Sequence, residues 1–157
     1  MNEYMNEANN LAKENLTTNN GGPFGAVVVK DGKIVGKGNN NVLASNDPTA
    51  HAEIMAIRDA CKKLQTYNLE GCVLYTSCYP CPMCISAIIW SNIKEVYYGN
   101  TQKDADEIGF RDDKIYEFIE KMSTSQNTNL IKLTELDRNE TIKTFEEFKN
   151  KQDKTIY

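Results

Sequence analysis

Two short segments organise this sequence: residues 49–53, which read Thr-Ala-His-Ala-Glu, and residues 80–84, which read Pro-Cys-Pro-Met-Cys. His51 is the one histidine in the chain, and Cys81 and Cys84 form a Cys-x-x-Cys pair. One imidazole and two thiolates occupy three corners of a tetrahedral zinc ion and leave the fourth open for water, as in catalytic zinc sites. The sequence therefore predicts a zinc ion bound by His51, Cys81 and Cys84.

Glu53, two residues after the histidine, is close enough to act as an acid–base group on zinc-bound water without being a ligand. Two alternatives stay open on the sequence alone. Cys78 precedes Cys81 by three residues, so a closed structural site with three cysteines and one histidine is one alternative. In the other, Glu53 is an ordinary solvated carboxylate on a helix. Cys61 and Cys72 lie in apolar segments and are expected to be core residues.

The composition is that of one globular domain. The chain has 157 residues, of which 40% are hydrophobic and 25% charged. Its net charge of -4 and pI of about 5.1 provide no electrostatic attraction to nucleic acid or to an anionic membrane. The N-terminal residues lack the pattern of a signal peptide, no apolar run reaches transmembrane length, and five cysteines argue against a disulfide framework. We therefore expect a single-domain cytoplasmic protein without a membrane segment, and nucleic acid is not favoured as a partner.

Periodicity and turn signals predict an α/β fold. Helical spacing of apolar residues predicts a first helix from Tyr4 to the turn at 19–23, and Asp31-Gly32 predicts a hairpin between strands 24–30 and 33–38. The remaining predicted elements are helices 49–64, 81–91, 112–122 and 140–154, strands 72–76, 94–99 and 130–133, and polar loops 39–48 and 100–109. Asp47 or Thr49 is the expected cap of the second helix. The alternation of strands and helices in the middle of the chain favours parallel neighbours in the sheet.

The longer runs 45–54 (Ser-Asn-Asp-Pro-Thr-Ala-His-Ala-Glu-Ile) and 78–84 (Cys-Tyr-Pro-Cys-Pro-Met-Cys) resemble the cytidine deaminase superfamily of zinc hydrolases that act on nucleobases. Within it they are similar to two branches, the bacterial guanine deaminases and the tRNA adenosine deaminases. Features outside the zinc segments favour the guanine branch. These features are Gly-Gly-Pro-Phe-Gly at 21–25, Asn-Asn-Asn-Val at 39–42, Gly-Phe-Arg-Asp-Asp at 109–113 and the terminal Tyr157.

The resemblance implies a fold and a reaction. The expected fold is a three-layer α/β/α sandwich around a mixed, mostly five-stranded sheet, with one zinc ion per subunit. The expected reaction is the hydrolytic deamination of guanine to xanthine and ammonia, in which metal-bound hydroxide attacks the amino-bearing carbon and Glu53 shuttles the proton. The alternatives are a tRNA-specific adenosine deaminase, a deaminase of another base or nucleoside such as cytosine, a pterin or a triazine, and a zinc-stabilised binding module without activity.

The resemblance also implies a pocket for a small-molecule purine beside the zinc. Asn40 is expected to hydrogen-bond the edge of the base, Phe24 to pack near its ring, and Ala52 to contribute to binding. Asp112 is expected to accept hydrogen bonds from N1–H and the 2-amino group and to pass a proton to the leaving ammonia. The purine is expected to stack on the imidazole of His51.

The C-terminal part of the chain carries two further expectations from the resemblance. The protein is expected to form a homodimer in which the segment of about 137–157 can be swapped onto the partner subunit, and Tyr157 is the candidate residue that closes the site. The sequence departs from the family pattern at Tyr79, where glutamate is commoner, and in the length and composition of residues 149–157.

Overall fold

A computed structural model describes residues 2–122, 135–153 and 155 of the chain. It falls into two compact units, Met1–Glu117 and Phe118–Tyr157, and the organisation into a single domain stays a prediction. In chain order the elements are α1 (Glu3–Thr18), β1 (Gly25–Lys30), β2 (Lys33–Asn39), α2 (Val42–Ser45), α3 (Ala52–Leu64), β3 (Val73–Cys78), α4 (Pro82–Trp90), β4 (Glu95–Asn100), α5 (Gln102–Glu107), α6 (Asp112–Met122) and α7 (Arg138–Asn150).

The described strands form one mixed sheet in the order β2-β1-β3-β4. β1 is antiparallel to β2 and to β3, whereas β3 and β4 are parallel, as the alternation of elements predicted. The β1–β2 hairpin turns at Asp31 and Gly32, whose φ angles of 49° and 72° are those that a two-residue type I′ turn requires. The predicted α/β fold with a mixed sheet is therefore confirmed.

Small residues set the close packing of α3 on the sheet. A Cβ added to Gly38 would lie 2.3 Å from the carbonyl oxygen of Ala52, and one added to Gly36 would lie 2.4 Å from that of Ala56. Because the helix backbone lies this near to β2, the alanines of α3 are buried while Ile54 is half-buried. The close contact holds the N-terminus of α3 in a fixed position relative to the sheet.

The hydrophobic core lies between the sheet and the helices α3 and α4. Strands β1 and β3 supply Val28 and Leu74, α4 supplies Ile88, and α3 contributes alanines. The core members are Ala26, Val28, Ala52, Ala56, Ala60, Leu69, Cys72, Leu74, Ile88 and Ile93. Cys72 is thus a core residue, as predicted, and burial raises the pKa of its thiol.

Several predicted boundaries were wrong. Helix α3 begins at Ala52 rather than near Thr49, because the Asp47 carboxylate accepts hydrogen bonds from the N–H and hydroxyl of Thr49 and forms a separate turn. The loop predicted at 39–48 contains the short helix α2. The loop predicted at 100–109 contains α5, which Thr101 and Asp104 start with a reciprocal capping box.

The sheet has four strands in the described part of the chain, where five were expected. The remaining predicted strand, 130–133, lies outside the described residues, as does Tyr157. Across residues 2–122, 135–153 and 155, the structure contains no helix with the length and apolar character needed to cross a membrane.

Candidate functional site

Three candidate metal ligands lie at the N-termini of two helices. His51 is the N-cap residue of α3, and Cys81 is the N-cap residue of α4, with Pro82 at the first helical position. Cys84 lies on the first turn of α4, three residues after Cys81, so that both sulfurs lie on the same side of the helix. The positive ends of the helix dipoles favour thiolates at this place.

The spacing of the ligand atoms fits zinc. The Nδ1 atom of His51 lies 3.5 Å from Sγ of Cys81 and 3.7 Å from Sγ of Cys84. Zinc bonds of ordinary length at the tetrahedral angle place a nitrogen and a sulfur ligand about 3.6 Å apart. Among the described residues, these three form a group of potential ligands whose atoms all lie within 4.8 Å of one another. The group therefore has the geometry of a zinc site with three protein ligands.

The pKa shifts of Cys81 and Cys84 also indicate a site for a cation. The hydrogen bond from Cys84 lowers the pKa of Cys81 to about 4, and His51 contributes to this shift. The same interaction with Cys81, together with burial, raises the pKa of Cys84, so the two sulfurs compete for one proton. A divalent cation bound between them would stabilise both thiolates, and the two thiolates with a neutral imidazole would balance the charge of Zn²⁺.

Cys78 does not join this group. Its thiol donates a hydrogen bond of 3.6 Å to the carbonyl oxygen of Thr101, and burial raises its pKa to about 11, so it stays protonated. A closed site with four protein ligands would need this sulfur as a thiolate beside His51. The geometry therefore favours the three-ligand site, in which one coordination position remains for a small molecule.

Glu53 is held in place beside the ligands. It lies in the first turn of α3 with only 6% of its surface exposed. The hydroxyl of Thr76 donates to Oε1 at 3.0 Å, and the thiol of Cys84 donates to Oε2 at 3.4 Å. Burial raises the pKa of this carboxyl group above its ordinary value, which suits a group that takes up and releases a proton. Glu53 is therefore not a solvated surface carboxylate.

A cavity of about 440 Å³ opens beside the three ligands, within the size range of small-molecule sites. All of its lining residues belong to the Met1–Glu117 unit. They are Gly21, Gly22, Phe24, Asn40, Val42, Leu43, Pro48, His51, Glu53, Cys78, Tyr79, Cys81, Phe110 and Asp112. The lining combines aromatic and aliphatic walls with a few polar groups, as expected for a planar, partly polar ligand.

Asn40 presents its side-chain amide at the cavity. The residue is buried, and its Oδ1 atom accepts a hydrogen bond of 3.2 Å from the N–H of Val42. The side chain of Asn15 donates to the carbonyl oxygens of Gly22 and Asn40, at 2.8 and 2.7 Å. It therefore connects two residues that line the cavity. Oδ1 of Asn40 is already used as an acceptor within the protein. The side-chain nitrogen is the donor of this amide and is the atom suited to bind a ligand.

An aromatic pair and a carboxylate form another part of the lining. The rings of Phe24 and Phe110 meet edge to face, with centroids 4.8 Å apart. Gly22 makes room for them, since a Cβ there would lie 2.6 Å from the ring of Phe110. Asp112 is the first residue of α6. Burial, and to a smaller extent the charge of Cys81, raises the pKa of its half-buried carboxyl group.

The structure thus brings together most of the predicted site residues. Those around the cavity are Phe24, Asn40, His51, Glu53, Cys81 and Asp112, with Cys84 in the ligand group. Ala52 is fully buried against β2 and does not line the cavity. Sequence reasoning missed Thr76, Asn15 and Phe110. In the sequence, Thr76 is a polar residue in an apolar strand and Asn15 lies on the apolar side of the first helix. Phe110 is an aromatic residue two positions before Asp112.

Comparison with known proteins agrees with this geometry. Residues 1–100 match the family described as the cytidine and deoxycytidylate deaminase zinc-binding region. The chain is 46% identical over 150 residues to the guanine deaminase of Bacillus subtilis (strain 168), and the match covers 96% of both proteins. An X-ray structure of guanine deaminase from Bacillus subtilis matches with a TM-score of 0.91 at 45% identity, covering 100% of this chain and 99% of that one.

A tRNA-specific adenosine deaminase of Aquifex aeolicus (strain VF5) is 47% identical, but over 81 residues that cover 52% of this chain and 54% of that protein. The predicted cytidine deaminase-like fold and the zinc cofactor are therefore confirmed. With its family-model match, full-length relative and three-ligand group, this chain belongs to the zinc-dependent deaminases of the cytidine and deoxycytidylate deaminase family.

Proposed function

We propose that this protein catalyses the hydrolysis of guanine to xanthine and ammonia. The observation that carries the proposal is the match to guanine deaminase, 46% identical over 96% of both chains. The tRNA-specific adenosine deaminases match less of this chain, 83% at 39% identity for one and 52% at 47% identity for another. The cavity supports it, because its size and its polar groups suit a free purine base.

Zinc would be held by His51, Cys81 and Cys84, and when bound it supplies the Lewis acidity that makes water a nucleophile near neutral pH. Glu53 removes one proton from the attacking water and transfers it to N3 of the purine, while the new C2–O bond forms. The second proton of the water goes to the 2-amino group, the C2–N bond breaks, and ammonia leaves. Guanine and water thus give xanthine and ammonia, with no other reactant.

Two polar side chains give the cavity its preference for guanine. The amide nitrogen of Asn40 can donate to O6, which is a hydrogen-bond acceptor in guanine. The carboxylate of Asp112 can accept from N1–H and from the 2-amino group. Adenine has an unprotonated N1 and an amino group in place of O6, so it would face Asp112 with an acceptor and Asn40 with a donor. Such mismatches discriminate strongly, because they leave buried polar groups unpaired.

Deamination of adenosine in tRNA is the second candidate. The partial match to tRNA-specific adenosine deaminases favours it. Against it, the net charge of -4 gives little attraction to a polyanionic stem-loop.

The test is a panel of substrates given to the zinc-loaded protein, with ultraviolet absorption as the readout. We expect rapid conversion of guanine and little or none of adenine, cytosine or guanosine. An anticodon stem-loop is included with inosine formation as its readout. Inosine formation without guanine turnover would contradict the proposal and establish the second candidate.

We further propose that the protein acts as a homodimer. The resemblance to bacterial guanine deaminases supports this, including the exchange of the segment of about 137–157 that carries Tyr157. Light scattering after size exclusion should give twice the chain mass of 17.8 kDa. A stable monomer with full guanine turnover would contradict the dimer and would leave the proposed reaction intact.

A further inference from the structure

A tyrosine links α6, the helix that begins with Asp112, to residues 79–81, which precede α4 and end at the ligand Cys81; these residues are called the zinc-binding loop below. Tyr116 lies four residues after Asp112 on α6, so the two side chains are on one face of the helix, about one turn apart. The hydroxyl of Tyr116 donates a hydrogen bond of 2.6 Å to the carbonyl oxygen of Pro80. Pro80 immediately precedes the ligand Cys81. One hydrogen bond thus links α6 to the zinc-binding loop.

The bond is partly shielded from solvent. Pro80 is buried and Tyr116 is half-buried. Burial raises the pKa of the Tyr116 hydroxyl above its ordinary value, and the side chain of Gln102, in α5, forms a hydrogen bond with the same group. The Tyr116 ring lies 6.2 Å from that of Tyr79, which lines the cavity.

The bond matters for position because apolar packing fixes this part of α6 only weakly. Ile115, next to Tyr116, is 45% exposed, and Asp112 is only half-buried. Without the phenol oxygen, the buried Pro80 carbonyl would lose its partner, and the helix would be free to shift relative to the loop. A shift of about 1 Å in a group that contacts substrate can change a rate by about 100-fold.

We propose that Tyr116 is a positioning residue that sets the place of the Asp112 carboxylate relative to the zinc-binding loop. The inference rests on the proposed function, since it takes Asp112 as a group that contacts the purine. Tyr116 acts through Asp112 and does not itself contact the substrate: it is not among the residues that line the cavity.

The test is a double-mutant cycle on kcat/KM for guanine with Tyr116→Phe, Asp112→Asn and the double variant. Tyr116→Phe keeps the ring and removes the one oxygen, and we expect kcat/KM to fall by about 10- to 100-fold. In the Asp112→Asn background the same change should alter kcat/KM by less than about twofold, because the group being positioned is already lost. If turnover in that background is too slow, the Kd of guanine is compared in the same cycle.

Tyr4→Phe is the matched control. The hydroxyl of Tyr4 also donates to a backbone carbonyl, that of Gly32, at 3.0 Å, but this bond joins α1 to the hairpin turn and lies outside the cavity. Its bond is more exposed than that of Tyr116, so Tyr4→Phe should lower the thermal midpoint slightly and leave kcat/KM within about twofold of wild type. A general loss of stability would affect both variants, whereas a positioning role affects only Tyr116→Phe.

The outcomes separate the two proposals. If the wild-type protein does not turn over guanine, the proposed function fails. If the wild type is active and Tyr116→Phe equals it, or if the two changes are independent in the cycle, the positioning role alone is overturned. Loss of zinc from Tyr116→Phe would also overturn it, because the bond would then act on the ligands. Should Tyr116→Phe not fold, Tyr116→Met, which also lacks the hydroxyl, takes its place with the same expected result.

Discussion

The hydrogen bond between Thr76 and Glu53 offers a sharp test of how the proton-transfer group is held. Thr76 lies in the central strand β3 with 1% of its surface exposed, and its hydroxyl donates to Oε1 of Glu53 at 3.0 Å. Thr76→Val replaces that hydroxyl with a methyl group of similar size. The substitution therefore removes the hydrogen bond and leaves the packing of the strand nearly unchanged.

The structure sets the size of the expected effect. A hydrogen bond to a charged group contributes about 1.5–3 kcal/mol, and both residues of this one, Thr76 and Glu53, are buried. If Glu53 loses that much of its stabilisation in the reacting position, kcat falls by about 10- to 150-fold. KM for guanine should change little, because Thr76 does not line the cavity.

The pH dependence gives a second readout with a definite sign. Burial raises the pKa of Glu53, and the hydrogen bond from Thr76 lowers it in part. Removing the hydroxyl therefore raises the pKa further. Because Glu53 must be deprotonated to accept a proton from water, the acidic limb of the kcat/KM profile should move to higher pH.

The assay is steady-state guanine turnover across pH for wild type, Thr76→Val and Thr76→Ser, with zinc content measured for each. Thr76→Ser keeps the hydroxyl and should retain most of the activity. Equal kcat values for Thr76→Val and wild type, with an unmoved acidic limb, would show that this hydrogen bond does not hold Glu53 for proton transfer. A parallel loss in Thr76→Ser would assign the effect to packing and not to the hydrogen bond.

Four further variants test the site. Glu53→Gln should abolish guanine turnover while metal analysis still finds one zinc per chain. Asp112→Ala should also abolish turnover with zinc retained, and full activity would remove this aspartate from the mechanism. Gly21→Ala would place a Cβ 2.0 Å from Oδ1 of Asn40, so KM for guanine should rise by about 10-fold in steady-state assays while zinc stays bound. Cys84→Ser should lose zinc and turnover together, as metal analysis and the guanine assay will measure.

The zinc ligands could be predicted because their spacing is local. A histidine two residues before a glutamate and a Cys-x-x-Cys pair each place their side chains within one helical turn. The hairpin at Asp31 and Gly32 was predicted for the same reason, since two adjacent residues determine the turn. Each of these features is local; that His51 meets Cys81, 30 residues later, was predicted because together with Cys84 they complete a catalytic zinc donor set.

Contacts between distant residues that no motif connects could not be predicted from the sequence. Thr76 and Glu53 are 23 residues apart, and Tyr116 and Pro80 are 36 apart. Each pair meets only because the sheet and helices bring their segments together. The start of α3 was misplaced for a related reason: Asp47 is a good cap by residue type, but its carboxylate is used in a preceding turn.

A zinc titration of the metal-free protein, with guanine turnover as the readout, would show whether the proposed deamination depends on zinc. The protein is stripped with a chelator, zinc is added back in known amounts, and the formation of xanthine is followed by ultraviolet absorption. We expect no turnover without zinc and a rise in activity that stops at one zinc per chain. Unchanged turnover in the metal-free protein, or no xanthine with zinc in excess, would contradict this expectation.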